Sequence, residues 1–338
     1  MLDCENYLKK RQDVLRRAEI RLTPEGFLRT LAPRLQGDIL DDDVTRYRMS
    51  LLKLGLPKGS LEDPTIDLFA RAGWKVRRHP RNYFPEIDDP EITARLCRVQ
   101  EIPLYIQDGV LDAGLTGKDW VAETGAEVHV VSNLNYSRAT SRPARWVLAV
   151  AGDSPYQKPE DLAGKRIATE LMGVSQAYFD RLGIPVNITH SWGATEAKVV
   201  EGLADAIVEV TETETTIKAH NLRIIDDVFV TNTVFIANKK AMDDPDKRRK
   251  IEQIDLLLQG ALHAETLVCL KLNAPAANLD AILDLLPALN SPTVSPLRDA
   301  RWFSVETVVS TGLVRDLIPR LREAGAEGIL EYALNKVI

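Results

Sequence analysis

The sequence predicts an α/β protein with two similar lobes, followed by a small βαββαβ domain. Three observations predict it. From Leu51 onward, short apolar runs alternate with helical segments, the pattern of βα units and largely parallel sheets. A faint internal echo relates Leu111-Asp112-Ala113-Gly114-Leu115-Thr116-Gly117 to Leu203–Thr211, with Asp205-Ala206 in the same place. The segment from Val268 to the end reads strand, helix, strand, strand, helix, strand.

Residues 1–50 differ from the rest. Asn6–Leu22 is charged and helix-prone, Thr23-Pro24-Glu25-Gly26 breaks it, and Asp41-Asp42-Asp43 marks a boundary. A helical N-terminal extension is expected there. The first lobe is expected to hold strand Leu51–Leu56, helix Leu61–Ala72, strand Leu111–Leu115, a helix from Lys118 and strand His129–Ser132. The second holds strands Trp146–Val150 and Arg166–Thr169, helix Ser175–Leu182, strands Val186–His190 and Ala204–Val210, and a helix from Thr215. Thr231–Ala237 is mostly apolar or β-branched and is expected to return to the first lobe.

Asp244–Leu267 places Ile251, Ile254, Leu257, Leu258 and Leu262 on one side of a long helix. The final domain divides into strand Val268–Leu272, helix Ala277–Leu289, strands Thr293–Leu297 and Trp302–Val309, helix Leu313–Ala324 and strand Ile329–Lys336. That order is ferredoxin-like. The expected boundaries are 1–50 for the extension, 51–143 with 230–267 for lobe I, 144–229 for lobe II and 268–338 for the last domain.

Composition narrows the function classes. The chain has 338 residues, 45% hydrophobic and 27% charged, with a net charge of −6. That balance argues against general nucleic-acid binding, which needs a broad basic surface. A phosphorylated substrate must then be held by local basic groups, helix N-termini or a divalent cation. Cys4, Cys97 and Cys269 are far apart, and the five histidines are scattered, so a zinc site is not expected. No apolar run approaches a membrane span and no signal-peptide core is present, so no membrane association and a cytoplasmic location are expected.

Glu209-Val210-Thr211-Glu212-Thr213-Glu214-Thr215-Thr216 spans the junction of a strand and a helix. Unpaired N–H groups and hydroxyls there suit a phosphate monoester, although a plain helix cap is the simpler account of the residues alone. Glu170, Glu209 and Asp119 stand at strand ends or turns, where paired carboxylates could hold ribose hydroxyls or face a cationic transition state, although each alone is more often a solvated surface group or cap. Lys58, in Pro57-Lys58-Gly59-Ser60, and Lys118, after Thr116-Gly117, are placed for an anion without forming a P-loop. Arg142 and Arg145 flank the second lobe's first strand and are expected to be solvent-exposed.

These pieces occur in one order, and that order resembles the long form of the ATP phosphoribosyltransferase family. The resemblance rests on Leu54–Leu61 (LGLPKGSL), Leu111–Trp120 (LDAGLTGKDW), Arg145–Val150, Gly164–Glu170, Ser191–Glu196 (SWGATE) and Leu203–Leu222. It continues in Pro292–Leu297 and Leu330–Ile338. It implies a body of two lobes like a type II periplasmic binding protein, with a ferredoxin-like regulatory domain. It also implies transfer of the phosphoribosyl group of phosphoribosyl pyrophosphate to N1 of ATP, with Mg2+ held mainly by pyrophosphate oxygens and water. By resemblance Thr211, Glu212, Thr213, Glu214, Thr215 and Thr216 receive the 5′-phosphate, and Glu170 and Glu209 are catalytic. Lys58 and the turn Thr116, Gly117, Lys118, Asp119 serve the other substrate or the pyrophosphate. Asn273, Ser291 and Thr293 are placed to contact L-histidine as inhibitor, and a homo-oligomer, dimer or hexamer, is implied.

Two positions depart from the family. Many members carry glycine at position 214 and Asp at position 209. An active enzyme is expected to hold Glu214 in an ordinary helical conformation, its side chain turned to solvent or to the next helix's first turn. Two rival readings are a non-catalytic binding or sensor protein, and a phosphoribosyltransferase with another acceptor.

Overall fold

The computed structural model describes residues 51–80, 82–136, 143–287 and 291–338. The expected N-terminal extension, Arg142 and the end of the helix expected over Ala277–Leu289 lie outside them. Strand β1 (Leu52–Lys58) is buried at most positions and leads into α1 (Glu62–Ala72). A short hairpin, β2 (Val76–Arg77) and β3 (Glu86–Ile87), precedes β4 (Ile92–Arg98) and α2 (Ile102–Gln107). Then come β5 (Ala113–Gly117), α3 (Lys118–Thr124) and β6 (His129–Leu134). The chain crosses to the second lobe with β7 (Ala144–Ala151), β8 (Arg166–Thr169), α4 (Met172–Leu182) and β9 (Asn187–His190). It continues through α5 (Thr195–Val200), β10 (Ala206–Thr211), α6 (Thr215–Ala219) and β11 (Leu222–Thr231). It returns as β12 (Thr233–Ala237), α7 (Lys239–Asp243) and α8 (Pro245–Ala264).

The two five-stranded sheets run β4-β1-β5-β12-β6 and β11-β7-β10-β8-β9. Read from opposite ends they are the same sheet. β4, β1 and β5 match β9, β8 and β10, and β12 and β6 match β7 and β11. The echo in the sequence falls on the equivalent strands β5 and β10. Asp112 accepts from the Lys53 N–H at 2.8 Å and donates its own N–H to the Lys53 carbonyl. Asp205 makes the same pair of bonds with Arg166, the carboxylate contact being 3.0 Å. In each lobe this carboxylate pins the start of the third strand to the first.

The expectation of largely parallel sheets is corrected: each sheet is half antiparallel. β12 is antiparallel to β5 and β6, and β7 is antiparallel to β10 and β11. The reason is the route of the chain. Both crossings enter a sheet beside the carboxyl ends of its parallel strands, Thr233 next to Gly117 and Arg145 next to Thr211. A strand starting there runs backwards. Besides the two-residue β2 and β3, two longer strands escaped prediction, β4 and β11, because Arg95, Arg98, Arg223, Asp226 and Asp227 interrupt their apolar pattern.

Helix α8 begins after Asp244, whose side chain accepts from the Asp246 and Lys247 N–H groups, with Pro245 in the first turn. Ile251, Ile254, Leu258 and Ala261 are buried with Leu68 and Phe69 of α1 in one core. The last domain comprises β13 (Leu267–Pro275), α9 (Leu279–Leu283), β14 (Thr293–Pro296), β15 (Trp302–Ser310), α10 (Thr311–Glu323) and β16 (Glu327–Ala333). Its antiparallel sheet runs β14-β15-β13-β16, the ferredoxin-like arrangement. Its tail folds back onto the first lobe. Lys336 Nζ donates to the Arg71 and Ala72 carbonyls at the end of α1. Among the described residues no helix is long and apolar enough to cross a membrane.

One buried ion pair ties α8 to the chain before β4. Lys250 Nζ lies 3.0 Å from Asp89 and 2.6 Å from Glu91, its side chain only 6% exposed. Burial pushes the Asp89 carboxyl up, but hydrogen bonds from the Glu91 N–H, Trp74 and Lys250 outweigh it and hold it below the usual range. Replacing Lys250 with Met takes the buried ammonium from Asp89, which keeps only the hydrogen bonds of Trp74 and the Glu91 N–H, while Glu91 keeps Arg249 at 3.1 Å. We expect Lys250→Met to lose about 3 kcal/mol in urea unfolding at pH 7, and Lys250→Met with Asp89→Asn to recover part of it. A single variant as stable as the parent would contradict this. The parent's share of stability from Asp89 is present above the ordinary Asp range and fades as pH falls through its lowered folded value.

Candidate functional site

The carboxyl ends of both sheets face a cleft of about 260 Å³. Gly117, Asp119 and Trp120 line it from the first lobe, and Trp146, Glu170 and Glu209 from the second. The crossing segment adds Thr231 and Asn232. This is where a two-lobed α/β body places a ligand, because strand ends leave free polar groups there.

Glu209 stands near the end of β10, with Glu170 just past the end of β8 on the neighbouring parallel strand. Burial pushes the Glu209 carboxyl up to about 7, and the charges of Glu196 and Glu170 push the same way. The Thr195 hydroxyl and the Val210 N–H, at 3.0 Å, oppose the shift. Such a carboxylate is poorly solvated and gains strongly from a cationic partner, as an oxocarbenium-like sugar would be.

Asp119 is buried, and burial raises its carboxyl above the usual range against the hydrogen bonds of Trp146, Thr231 and the backbone. Its Oδ2 accepts from Trp146 Nε1 at 2.6 Å. The Asp119 N–H donates to the Thr231 hydroxyl at 3.2 Å. Trp120 packs edge-on to Trp146, with ring centroids 6.3 Å apart.

Family models described as "ATP phosphoribosyltransferase" and "HisG, C-terminal domain" match residues 98–260 and 264–336. An ATP phosphoribosyltransferase of Nitratidesulfovibrio vulgaris is 74% identical over 287 residues, 85% of this chain and 98% of its own. One from Solidesulfovibrio magneticus is 64% identical over 289 residues, 86% of this chain and 99% of its own. The chain belongs to the ATP phosphoribosyltransferase family. It carries the C-terminal domain of the family's long form. A solved chain of the ATP phosphoribosyl transferase (HisG:HisZ) complex from Thermotoga maritima is 29% identical with a TM-score of 0.53. It matches over 62% of this chain and 99% of its own, so a structure of body size alone accounts for it.

The residues that the ATP phosphoribosyltransferase resemblance singled out fall into groups. Glu170, Glu209, Gly117, Asp119 and Glu212 line the cleft together. Thr116 does not: it is buried, and its hydroxyl donates to the Val99 carbonyl at 2.7 Å, so it supports the turn from behind. Asp119 is committed to Trp146, and Lys118 is exposed, its N–H bound to the Asn232 carbonyl. Lys58 lies outside the cleft lining, its ammonium 3.9 Å above the Tyr83 ring. Arg98 sits opposite Lys58 on β4, and Arg95 lies 5.1 Å from the Phe84 ring. Arg95 and Arg98, three residues apart on β4, point to opposite faces of the sheet, so Lys58 and Arg98 share one face and Arg95 with Phe84 belongs to the other. These contacts went unread because they join separate segments.

The threonine turn differs from expectation in one respect. Glu214 is at φ 60°, ψ 8°, in the left-handed region and not in a helical conformation. The Glu214 N–H donates to the Thr211 hydroxyl at 2.7 Å, which closes the turn at that angle. A non-glycine residue there costs about 1 kcal/mol or more. Its carboxylate pairs with Lys218 at 2.9 Å, in the last turn of the following helix, and with Arg145 at 2.7 Å. Arg145 is therefore not a free surface residue: Asp227 holds its other side at 2.6 Å. Thr213, Thr215 and Thr216 are exposed beyond the cleft.

Glu209 gives a pH signature. We expect kcat/KM for phosphoribosyl pyrophosphate to fall as pH drops through about 7, and Glu209→Gln to lower turnover and flatten that limb. Stability has the opposite sign. A raised carboxyl favours the fold below the ordinary Glu range, and that contribution is lost as pH rises through about 7. The Tm of Glu209→Gln relative to the parent should therefore be higher at pH 8 than at pH 5. A pH-independent difference would remove Glu209 from the buried site.

Proposed function

We infer that this chain transfers the phosphoribosyl group of phosphoribosyl pyrophosphate to N1 of ATP, releasing pyrophosphate, the first step of histidine biosynthesis. The carrying observation is the cleft itself. It brings two carboxylates, Glu170 and Glu209, to the ends of adjacent strands beside the Thr211–Thr216 turn. In this reading the turn and Arg145 receive the 5′-phosphate, and Glu170 and Glu209 hold the ribose hydroxyls. As the bond to pyrophosphate breaks, positive charge grows on the anomeric carbon and its ring oxygen. The half-buried Glu209 carboxylate meets that charge without reorganising. Lys58 and Arg98, which share one face at the ends of β1 and β4, are with Tyr83 suited to the triphosphate and base of ATP.

No group of three His, Cys, Asp or Glu able to cage a metal occurs among the described residues. Glu170 and Glu209 nevertheless fit a Mg2+ that arrives on pyrophosphate, as acceptors for its water ligands. When bound it neutralises the leaving pyrophosphate.

L-Histidine is proposed to act on the last domain. Asn273 pairs with Ser304, and Ser304 with Ser295, two residues from Thr293, so Asn273 and Thr293 share one face of the sheet. That face is the one opposite Leu270, Leu272 and Val305, which belong to the domain core. Ser291 precedes β14 and is exposed.

The deciding assay is pyrophosphate release with ATP, phosphoribosyl pyrophosphate and Mg2+, with the product mass identified as phosphoribosyl-ATP. No release would favour a sensor, and release with a different product would favour another acceptor. The position of Glu214 makes a second measurement informative. Glu214→Gly relieves the left-handed strain and releases one side of Arg145, which Asp227 still holds by the other, while forfeiting exposed ion pairs of small worth. We expect stability to change little and phosphoribosyl pyrophosphate to bind roughly threefold to tenfold tighter. Equal or weaker binding would show that the carboxylate does not oppose phosphate.

A further inference from the structure

Helix α4 starts without a cap of its own. Leu171, at the N-cap position, has no side-chain acceptor, yet the first N–H groups of any helix lack partners within it. The cap comes from the other lobe. Glu123, near the end of α3, accepts from the Gly173 N–H at 2.8 Å and from the Val174 N–H at 2.9 Å, one on each carboxylate oxygen. Two oxygens on consecutive N–H groups fix the carboxylate in position and angle, and the helix dipole favours its charge. A Cβ on Gly173 would lie 3.3 Å from one of those oxygens, so a larger residue there would shift the carboxylate by a few tenths of an ångström.

Glu170 stands on the short link between β8 and α4. On one side of it the Leu171 N–H donates to the Thr169 hydroxyl at 3.0 Å. On the other side is the turn that Glu123 holds. Glu123 is itself anchored, because Asp119 and Trp120 on the same short helix engage Trp146 of the second lobe. Glu170 is thus pinned from its own lobe by Thr169 and from the opposite lobe by Glu123.

We propose that Glu123 is a positioning residue for Glu170, acting across the lobe boundary through the first turn of α4. It touches no substrate. It sets where the Glu170 carboxylate stands relative to first-lobe groups that receive the second substrate. This rests on the transferase reading of the cleft.

The test compares the parent, Glu123→Gln, Glu170→Gln and the double variant, with steady-state kinetics and amide hydrogen exchange over Leu171–Gln176. Glutamine keeps the size of the side chain but offers one acceptor where the carboxylate offers two. We expect Glu123→Gln to lower kcat/KM for phosphoribosyl pyrophosphate roughly tenfold and to leave the KM for ATP within about twofold. The double variant should be no worse than Glu170→Gln alone, since one defect acts through the other. Multiplying defects, or a Glu123→Gln variant with parental kinetics, would overturn the proposal. If Glu123→Gln does not fold, Glu123→Asp, one methylene too short to reach both N–H groups, should give the same pattern. If the parent itself releases no pyrophosphate, the transferase reading fails, and the clamp is judged by exchange alone. Gly173 and Val174 exchanging at least about tenfold faster in Glu123→Gln would sustain it, and unchanged exchange would remove it.

Discussion

Asp119 carries a carboxylate into the boundary between two lobes, where water cannot solvate it. The indole N–H of Trp146 satisfies one oxygen and the backbone of Trp120 the other. A buried polar group of this kind is costly without its partner. The first lobe supplies the acid and the second the indole, so a rotation of the lobes at this point would break the bond between them. The geometry of the cleft depends on that constraint. The crossing segment passes the same point, where Thr231 meets the Asp119 N–H, so the hinge and the lock occupy one place.

Around this lock the duplicated sheets do complementary work. Each lobe ends its third strand at the cleft, and each receives its antiparallel strand from the other lobe. The first lobe carries Lys58 and Arg98 together on one face at its strand ends, with Tyr83 beneath Lys58. The second contributes acids and a hydroxyl-rich turn. A reaction between two polyanions through a cationic state needs that division: positive charge for the phosphates, and negative charge only where the sugar becomes positive. In the proposed reaction Glu209 would meet the second need, since burial raises its carboxyl and leaves its charge poorly solvated.

The last domain is bound to the first lobe more closely than its position at the chain's end suggests. Lys336 places an ammonium on the free carbonyls at the end of α1, where a helix favours a cation. The Val337 N–H donates to the Gly260 carbonyl on α8. The opposite end of α1 abuts Ser60 and Leu61, which line the cleft. One helix therefore spans from the tail of the C-terminal domain to the edge of the site.

Local pattern alone determined much of this protein. The βα alternation, the ferredoxin-like ending, the return of Thr233–Ala237 to the first lobe and the strand-end placement of Glu170 and Glu209 were legible, because each rests on periodicity or on adjacency along the chain. The family followed from the order of short motifs. Contacts between distant segments were not legible. That Thr116 turns its hydroxyl away, that Trp146 receives Asp119, that Arg145 is shared by Glu214 and Asp227, and that Glu123 caps a helix of the other lobe all depend on which side chains the packing brings within 3 Å or so. The left-handed backbone at Glu214 belongs to the same class. Sequence marks a residue that avoids such an angle, and only the closed turn, drawn tight by the Thr211 hydroxyl, forces it there.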